Sequence, residues 1–441
     1  MNNLNLLKEL TKLKKNEKMT REQMVRLQNQ KLRQLLRHAW QNSPYYRQAF
    51  EQAGITEDNL DVLPLSAFPT IDKALLMERF DELITATDLK QEELLRFDSA
   101  GYTDNKPYRG EYHVVHSSGS TGKPCYFIYD NAAWDQMLLG IIRGALWNMS
   151  IPQILKLLIS KPRIIYIAAT DGRYGGAMAV GDGIDGIGAS QMYLDINTPL
   201  AQWKKSIQEF KPNIIIGYPS AIKILAELKE KGEVSVQSAR IISCGEPLSP
   251  GLRSYLENTF SCPVINIYGA SESLALGVES GCEDGILLFD DLNVIEVING
   301  TMYLTCLYNY VQPLIRYKIS DHLVLKEPCG DTPFTKTEIL LGRDEDMLWF
   351  EDGSGNRDFL HPLAVEGFCI EGLRDYQFRQ VGPDAFEMHA EVPDQEHQPL
   401  VRSEMLRQMK TILQEKKLEY VQFYVRFVDA VYPDPKTGKN R

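Results

Sequence analysis

From Leu6 to about Phe50 the apolar residues recur at helical spacing: Leu7, Leu10 and Leu13, then Met24, Leu27, Leu32, Leu35 and Leu36. This pattern predicts helices that pack through one face. The run breaks at Pro44, inside the segment Leu36 to Arg47. Residues 64–72 read as a linker, and the polar, Gly-containing stretch 97–111 reads as a surface loop. Between about 160 and 270 the pattern changes to short β-branched runs at Ile164–Ala169, Ala189–Leu194, Ile214–Gly217, Arg240–Ser243 and Val264–Tyr268. Such runs suit strands covered on both faces. Helical stretches separate them at Leu200–Phe210, Ser220–Lys231 and Pro250–Phe260. Strand–helix alternation predicts a parallel, doubly wound sheet with its ligands at the carboxyl ends of the strands. Small residues gather at those ends, in Gly217-Tyr218-Pro219-Ser220, Cys244-Gly245-Glu246-Pro247 and Tyr268-Gly269-Ala270-Ser271-Glu272.

From Ile286 to Leu307 the chain reads as a meander, with Asn299-Gly300 as a two-residue hairpin signal between Val294–Ile298 and Met302–Leu307. Further on, Tyr376–Val381, Ala385–Val392, Leu400–Lys417 and Tyr420–Val428 give the order β-β-α-β. The expected fold is therefore α/β. A large doubly wound N-terminal domain, residues 1–341, carries a helical part over about 1–96 and a β-meander subdomain, and a small α+β C-terminal domain covers 342–441. A chain of 441 residues is long enough for that division.

Composition narrows the class. Hydrophobic residues at 44% and charged residues at 24% are ordinary for a globular protein. A net charge of −11 argues against a nucleic-acid partner, whose binding depends on Lys and Arg displacing counterions. No apolar run approaches the roughly 20 residues of a membrane span, and Met1 to Lys18 has polar residues at every turn, unlike a signal peptide. A cytoplasmic protein with no membrane partner is expected. The seven scattered cysteines suit reduced thiols rather than a disulfide framework.

Two stretches carry chemistry. The first is His116-Ser117-Ser118-Gly119-Ser120-Thr121-Gly122-Lys123-Pro124. Its glycines let backbone N–H groups approach an anion, and its hydroxyls and lysine can complete the cage. It is not a Walker A loop, because only two residues separate Gly119 from Gly122 and Pro124 follows Lys123. A solvated Ser/Gly linker would have a similar composition. The second stretch is Tyr268-Gly269-Ala270-Ser271-Glu272, at a strand end. There a tyrosine can stack on a base, a hydroxyl can reach a phosphate, and a carboxylate can hold Mg²⁺ on phosphate oxygens. As structural alternatives, Tyr268 could be core and Glu272 a helix-dipole carboxylate.

The first stretch resembles the phosphate loop of the acyl-adenylate-forming enzymes, Ser-Ser/Ser-Gly-Thr-Thr-Gly-Lys-Pro, with Ser120 in place of a threonine. The second resembles that superfamily's Tyr-Gly-x-Thr-Glu. Leu36 to Arg47, and Pro313-Leu314-Ile315-Arg316-Tyr317-Lys318-Ile319-Ser320-Asp321, resemble segments of its phenylacetate-CoA ligase branch. The resemblance implies that Ser117, Ser118, Gly119, Ser120, Thr121, Gly122 and Lys123 bind the ATP phosphates. Gly245, Glu246 and Pro247 would line one face of the adenine, Asn266 would bind its amino group, Tyr268 would stack on it and Gly269 would lie beside it. Ser271 would touch the α-phosphate, Glu272 would ligate Mg²⁺, and Asp321 would take the ribose hydroxyls. Leu341-Gly342-Arg343-Asp344-Glu345-Asp346 resembles the inter-domain joint, so Arg343 would approach ribose and phosphate and Glu345 would stand at a hinge. The tail Thr437-Gly438-Lys439-Asn440-Arg441 resembles the superfamily's lysine-bearing terminus. Lys439 would then join Glu272 and Lys123 as a catalytic residue on a mobile lid. An acid substrate would lie near Tyr166, Gly175, Gly176, Tyr218, Gly269 and Ala270.

Two departures bear on the acceptor. Cys282 and Cys329 match part of a zinc site of the branch, but two thiols do not close a tetrahedral site. The acidic, Gly-rich run 351–358 replaces the Arg-Gly-x-Asn expected beside the thiol channel, and would repel a polyanion. The expected reaction is ATP-dependent activation of a small carboxylic acid, of aryl type, through an acyl-adenylate, followed by transfer to a thiol. CoA, the phosphopantetheine of a carrier protein and an amine stay open as acceptors, as does a nucleotide-binding protein that has lost the CoA step. The sequence also leaves open whether the chain acts alone or as a homodimer.

Overall fold

The computed structural model describes residues 3–99, 106–116, 125–168, 178–179, 181–182, 189–195, 198, 200–281, 285–326, 332–343, 348–351, 357–360, 370–415 and 418–431. The N-terminal layer is helical, with α1 (Asn3–Asn16), α2 (Arg21–Asn42), α3 (Pro44–Gln52), α4 (Lys73–Glu78), α5 (Phe80–Leu83) and α6 (Gln91–Ser99). Thr20 opens α2 with a reciprocal capping box to Gln23. The break at Pro44 is a helix start as well as a stop: Ser43 caps α3 by accepting from the Tyr46 N–H, and Pro44 occupies the first turn. Within 64–72 only a 3-10 turn forms, at Leu65–Ala67, and Ile71 bridges Tyr317. Helix α6 continues to Ser99, so it takes up the start of the stretch expected to be loop.

A hairpin of β1 (Tyr112–His116) and β2 (Tyr126–Asp130) follows, then α7 (Asn131–Ala145) and α8 (Ile151–Ile159). The main sheet contains β3 (Arg163–Ala168), β4 (Ser190–Asp195), β5 (Ile214–Gly217), β6 (Arg240–Cys244), β7 (Val264–Ala270), β8 (Ser273–Glu279), β9 (Ile286–Leu288), β10 (Asn293–Ile298), β11 (Thr301–Cys306), β12 (Tyr317–Lys326) and β13 (Lys336–Arg343). Its eleven strands run in the order β10-β11-β12-β13-β9-β8-β7-β6-β5-β3-β4. The β4-β3-β5-β6-β7 half is parallel, with α9 (Leu200–Phe210), α10 (Pro219–Glu230) and α11 (Pro250–Phe260) as crossovers. The meander is antiparallel and extends the same sheet, so it is not a separate layer. Its Asn299-Gly300 turn has positive φ at both residues, 53° and 81°, the conformation that two-residue hairpins prefer.

Side-chain alternation explains why the parallel strands are apolar throughout. Ile165, Ile215, Ile241 and Val264 pack with Trp203, Ile222, Leu225 and Leu256 from α9, α10 and α11. Ile164, Ile214, Ile242 and Ile265 face the other core, with Trp134, Met137 and Leu138 of α7. Each strand thus buries both faces.

The hairpin is held from its open side. The Gln312 amide accepts from Ile128 N–H (2.8 Å) and donates to Tyr126 O (3.1 Å), and Asn309 donates to Ile128 O (2.8 Å). These amides satisfy the edge of β2 that would otherwise be an unpaired strand edge. The 313–315 stretch beside them is fixed by Tyr46, whose hydroxyl donates to Pro313 O (2.8 Å) and accepts from Ile315 N–H (3.1 Å). Arg316 is buried, donating to Glu296 and to the carbonyls of Ser66 and Phe68. It ties the 64–72 segment to the meander.

The C-terminal unit contains β14 (Leu348–Glu351), β15 (Arg357–Leu360), β16 (Asp375–Gly382), β17 (Ala385–Glu391), α12 (Gln398–Glu415) and β18 (Gln422–Val428). Strands β16 and β17 are antiparallel, β17 and β18 are parallel, and α12 makes the crossover. Its core of Phe350, Phe386, Met388, Val401, Met405 and Met409 is its own. Strand β13 runs on to Arg343, past residue 341, where the sequence suggests the first domain ends.

Arg143 and Asp291 form a fully buried bidentate pair, at 2.7 and 2.9 Å, that joins α7 to the turn before β10. Asn16 of α1 also donates to Asp291. Burial alone would raise the Asp291 pKa, but Arg143 holds it below its ordinary value. A carboxylate with a depressed pKa contributes stability above its unfolded value of about 3.9 and loses it as pH falls through the folded value. We therefore expect Arg143→Met, which strands a buried carboxylate, to cost about 3–5 kcal/mol in urea unfolding at pH 7, with Arg143→Met/Asp291→Leu recovering most of it. In the double variant the loss of stability on acidification should also be shallower.

Candidate active site

The carboxyl ends of β3, β5, β6 and β7 are neighbours by strand register: Ile167 pairs with Gly217, Gly217 with Ser243, and Cys244 with Ile267. All three small-residue clusters therefore share one edge of the sheet. Gly217 has no room for a side chain, since a Cβ would lie 2.2 Å from Ile167 O. Gly245 sits at φ +79°, with its Cα face against the Tyr218 ring, where an added Cβ would come within 2.8 Å. Tyr166 is buried beside Tyr193 (centroids 5.9 Å apart, edge to face), with Tyr218 and Cys244 completing the cluster. Burial, then Cys244 and the neighbouring tyrosines, push the Tyr166 hydroxyl well above its usual pKa, so it stays protonated.

Beside this wall the expected nucleotide residues come together. Tyr268 is buried and its hydroxyl donates to Asp321 Oδ2 at 2.7 Å. Asp321 is directly opposite Arg343 in the β12–β13 register. Asn266 and Tyr268 lie two residues apart on β7, so their side chains start from the same face of the strand. Asn266 donates to Glu279 (3.2 Å), while its buried Oδ1 has no hydrogen-bond partner among the described residues. Ser243, its partner on β6, likewise has a buried hydroxyl oxygen without one. Two adjacent orphaned polar atoms at a strand end suit a ligand that offers donors.

Glu246 and Gly269 have structural duties that the sequence did not announce. The Glu246 carboxylate accepts from Ser220 N–H (3.1 Å) and Ser220 Oγ (3.0 Å), which caps the N-terminus of α10 from the next strand. At Gly269 a Cβ would lie 2.4 Å from Leu274 O, so the close β7–β8 turn itself requires glycine.

The strand that follows the first chemistry-bearing stretch touches the second. Residues 117–124 lie outside the described residues, but both of their anchors are described, with His116 paired to Tyr126 across the hairpin. Tyr129, also on β2, donates its hydroxyl to Ser271 O at 2.8 Å. Cys125, the residue after the loop, has its pKa pushed up to about 12 by burial and by the Glu272 carboxylate. Glu272 also hydrogen-bonds the Tyr317 hydroxyl, whose pKa rises through burial and this carboxylate. Lys73, at the start of α4, is within electrostatic reach of Cys125. Glu272 thus stands near Cys125, the residue that follows the 117–124 stretch. No cluster of three or more His, Cys, Asp or Glu side chains occurs among the described residues. A single carboxylate would suit Mg²⁺, which is usually held by one or two carboxylates together with substrate phosphates.

Comparison with known proteins shows what the chain is similar to. A family profile described as AMP-binding enzyme matches residues 186–290. Phenylacetate-coenzyme A ligase of Aromatoleum evansii is 26% identical over 354 residues, covering 75% of this chain and 73% of that protein. The phenylacetate-coenzyme A ligase of Pseudomonas putida is 25% identical over 418 residues, covering 88% and 87%. These matches support an acyl-adenylate-forming, phenylacetate-CoA ligase-like protein. A solved structure of 2-hydroxyisobutyryl-CoA ligase in the postadenylation state shares the fold, with a TM-score of 0.70 at 19% identity, covering 94% of this chain and 87% of that one. The same enzyme in its thioesterification state gives a TM-score of 0.59 at 20% identity, covering 96% and 91%.

Of the residues that the superfamily resemblance singles out, Tyr166, Tyr218, Gly245, Asn266, Tyr268, Gly269, Ala270, Ser271, Glu272 and Asp321 lie on or next to this one edge. Gly175, Gly176, Glu345, Lys439 and the pair Cys282 and Cys329 lie outside the described residues, as do Ser117 to Lys123. Tyr129, Ser243 and Lys73 carry no motif and were found only through their contacts, and Tyr317, inside the Pro313–Asp321 motif, gained its place beside Glu272 the same way. For this ligase-like protein we expect Tyr268→Phe, which removes the bond to Asp321, to weaken ATP binding roughly tenfold, about 1.4 kcal/mol, in titration calorimetry. Unchanged affinity would separate this pair from the nucleotide.

Proposed function

We propose that the chain joins a small carboxylic acid to the thiol of CoA through an acyl-adenylate. In the first half-reaction the carboxylate oxygen attacks the α-phosphorus of ATP and the bond to the β-phosphate bridging oxygen breaks, releasing pyrophosphate. In the second the CoA sulfur, having lost its proton, attacks the acyl carbon and AMP leaves. The contact of Tyr129 with Ser271, which brings the exit strand of the phosphate loop to the Tyr-to-Glu turn, is the observation that carries this reading.

A carboxylate is a weak nucleophile and is repelled by ATP, so catalysis rests on alignment and charge neutralisation. Residues 117–123 hold the β- and γ-phosphates, and Ser271 fixes the α-phosphate. Asp321, oriented by Tyr268, takes the ribose hydroxyls. Asn266 Oδ1 accepts from the adenine amino group, which gives that buried oxygen a partner. Glu272 would hold Mg²⁺, which when bound spreads the charge of the phosphate oxygens. Lys439 enters the site during the first half-reaction. The tyrosine wall of Tyr166, Tyr193 and Tyr218 favours an aryl acid by ring packing.

The related 2-hydroxyisobutyryl-CoA ligase is described in postadenylation, open and thioesterification states. By analogy residues 342–441 form a lid that turns about Glu345 between the two half-reactions. Among the described residues no helix is long and apolar enough to cross a membrane.

A pyrophosphate-exchange screen across aryl and aliphatic acids tests the function, and exchange with at least one aryl acid is expected. ATP binding without exchange for any acid would leave only a nucleotide-binding protein. Lys439→Ala should lower acid-dependent exchange roughly 100-fold or more while ATP affinity stays within about twofold. Full turnover in that variant would remove the lysine from the mechanism.

A further inference from the structure

The contact between the two units is made of charges. Lys223 of α10 is buried, and its Nζ lies 2.6 Å from Glu391 Oε2 and 3.1 Å from Asp375 Oδ2, both on the C-terminal sheet. Arg374 sits at the rim, 3.6 Å from Glu391, 3.9 Å from Glu227 and 3.7 Å from Glu230, with its guanidinium 4.9 Å above the Tyr255 ring. The Val431 N–H donates to the same Glu391 oxygen as Lys223 (3.0 Å). Among the described residues no apolar cluster bridges the units: one is drawn from residues between Ile165 and Val264, the other from residues between Leu348 and Val425. An apolar seam would resist parting because it exposes oil to water, whereas separated charges regain hydration that offsets their lost attraction. A buried ionic seam between separately cored units is therefore one that can open and close.

We infer that Lys223 is a positioning residue: held between Asp375 and Glu391, it latches the C-terminal unit onto α10 in one of the placements that the two half-reactions require. The inference rests on the proposed two-step function for its catalytic consequence, but the latch itself is a matter of geometry. Without the lysine, Asp375 and Glu391 face each other in a dry seam beside Glu227, and undocking is their route to water.

The test places spin labels, by non-cysteine chemistry, on exposed Glu209 of α9 and Lys410 of α12 in the full-length protein and measures their distance distribution. Wild type should give a population at the docked distance, and Lys223→Met should deplete it, with Lys223→Arg restoring it. In parallel, pyrophosphate exchange and thioester formation from preformed acyl-adenylate are measured. Lys223→Met should change their ratio by about fivefold or more, as a shifted two-state equilibrium requires. An unchanged distance distribution overturns the latch, and so does a depleted docked population with an unchanged ratio of half-reactions. Should Lys223→Met not fold, Arg374→Gln at the half-buried rim gives the same readouts with smaller amplitude. If wild type shows no exchange with any acid, the proposed function fails, and the distance distribution alone then decides whether the latch exists.

Discussion

The hydrogen bond from the Tyr129 hydroxyl to Ser271 O is the interaction on which the site depends. It links β2, which leaves the phosphate-loop stretch, to the turn that carries Glu272. For Tyr129 to be there, β2 must be held along both edges. Strand β1 pairs with one edge, and the buried amides of Gln312 and Asn309 take the other. Those amides are in turn fixed because Tyr46 clasps residues 313–315. A hydroxyl on the third helix thus stabilises, through residues 309–315, the position of a strand about eighty residues further along the chain.

Buried charge is used in two ways. Arg143 with Asp291 and Arg316 with Glu296 lie inside the N-terminal unit, surrounded by apolar side chains and backbone carbonyls, and they fix elements that have no reason to part. Lys223 with Asp375 and Glu391 lies between units whose cores do not merge. The chemistry is the same, but the setting decides the consequence. Inside a unit, loss of a partner strands a charge, whereas between units the chain can separate and let water in.

Much of this could be read from residue order alone. The strands at Ile214–Gly217 and Val264–Ala270, the helices α9 and α11, and the Asn299-Gly300 turn all obey local rules of periodicity and backbone conformation. The motifs singled out Tyr268, Glu272 and Asp321 as residues of one ligand site, but the hydrogen bond between Tyr268 and Asp321 is seen only in the fold. Other features were hidden because they are long-range. Tyr126-Phe127-Ile128-Tyr129 is a plain apolar run in which nothing distinguishes Tyr129. Lys223 is one lysine on an ordinary amphipathic helix, and its partners are more than 150 residues away. Glu246 is expected from its motif to line the nucleotide, and the motif gives no sign that its carboxylate also caps α10, a helix whose N-cap residue Tyr218 provides no side-chain cap. The meander was expected as a subdomain, and only strand order reveals that it continues the parallel sheet.

The most direct test is a crystal structure with ATP and Mg²⁺ bound. The account predicts adenine at the carboxyl ends of β6 and β7 beside Asn266, ribose on Asp321, and phosphates held by both Glu272, through Mg²⁺, and the 117–123 stretch. Nucleotide bound elsewhere, or contacting one of those two stretches without the other, would contradict it.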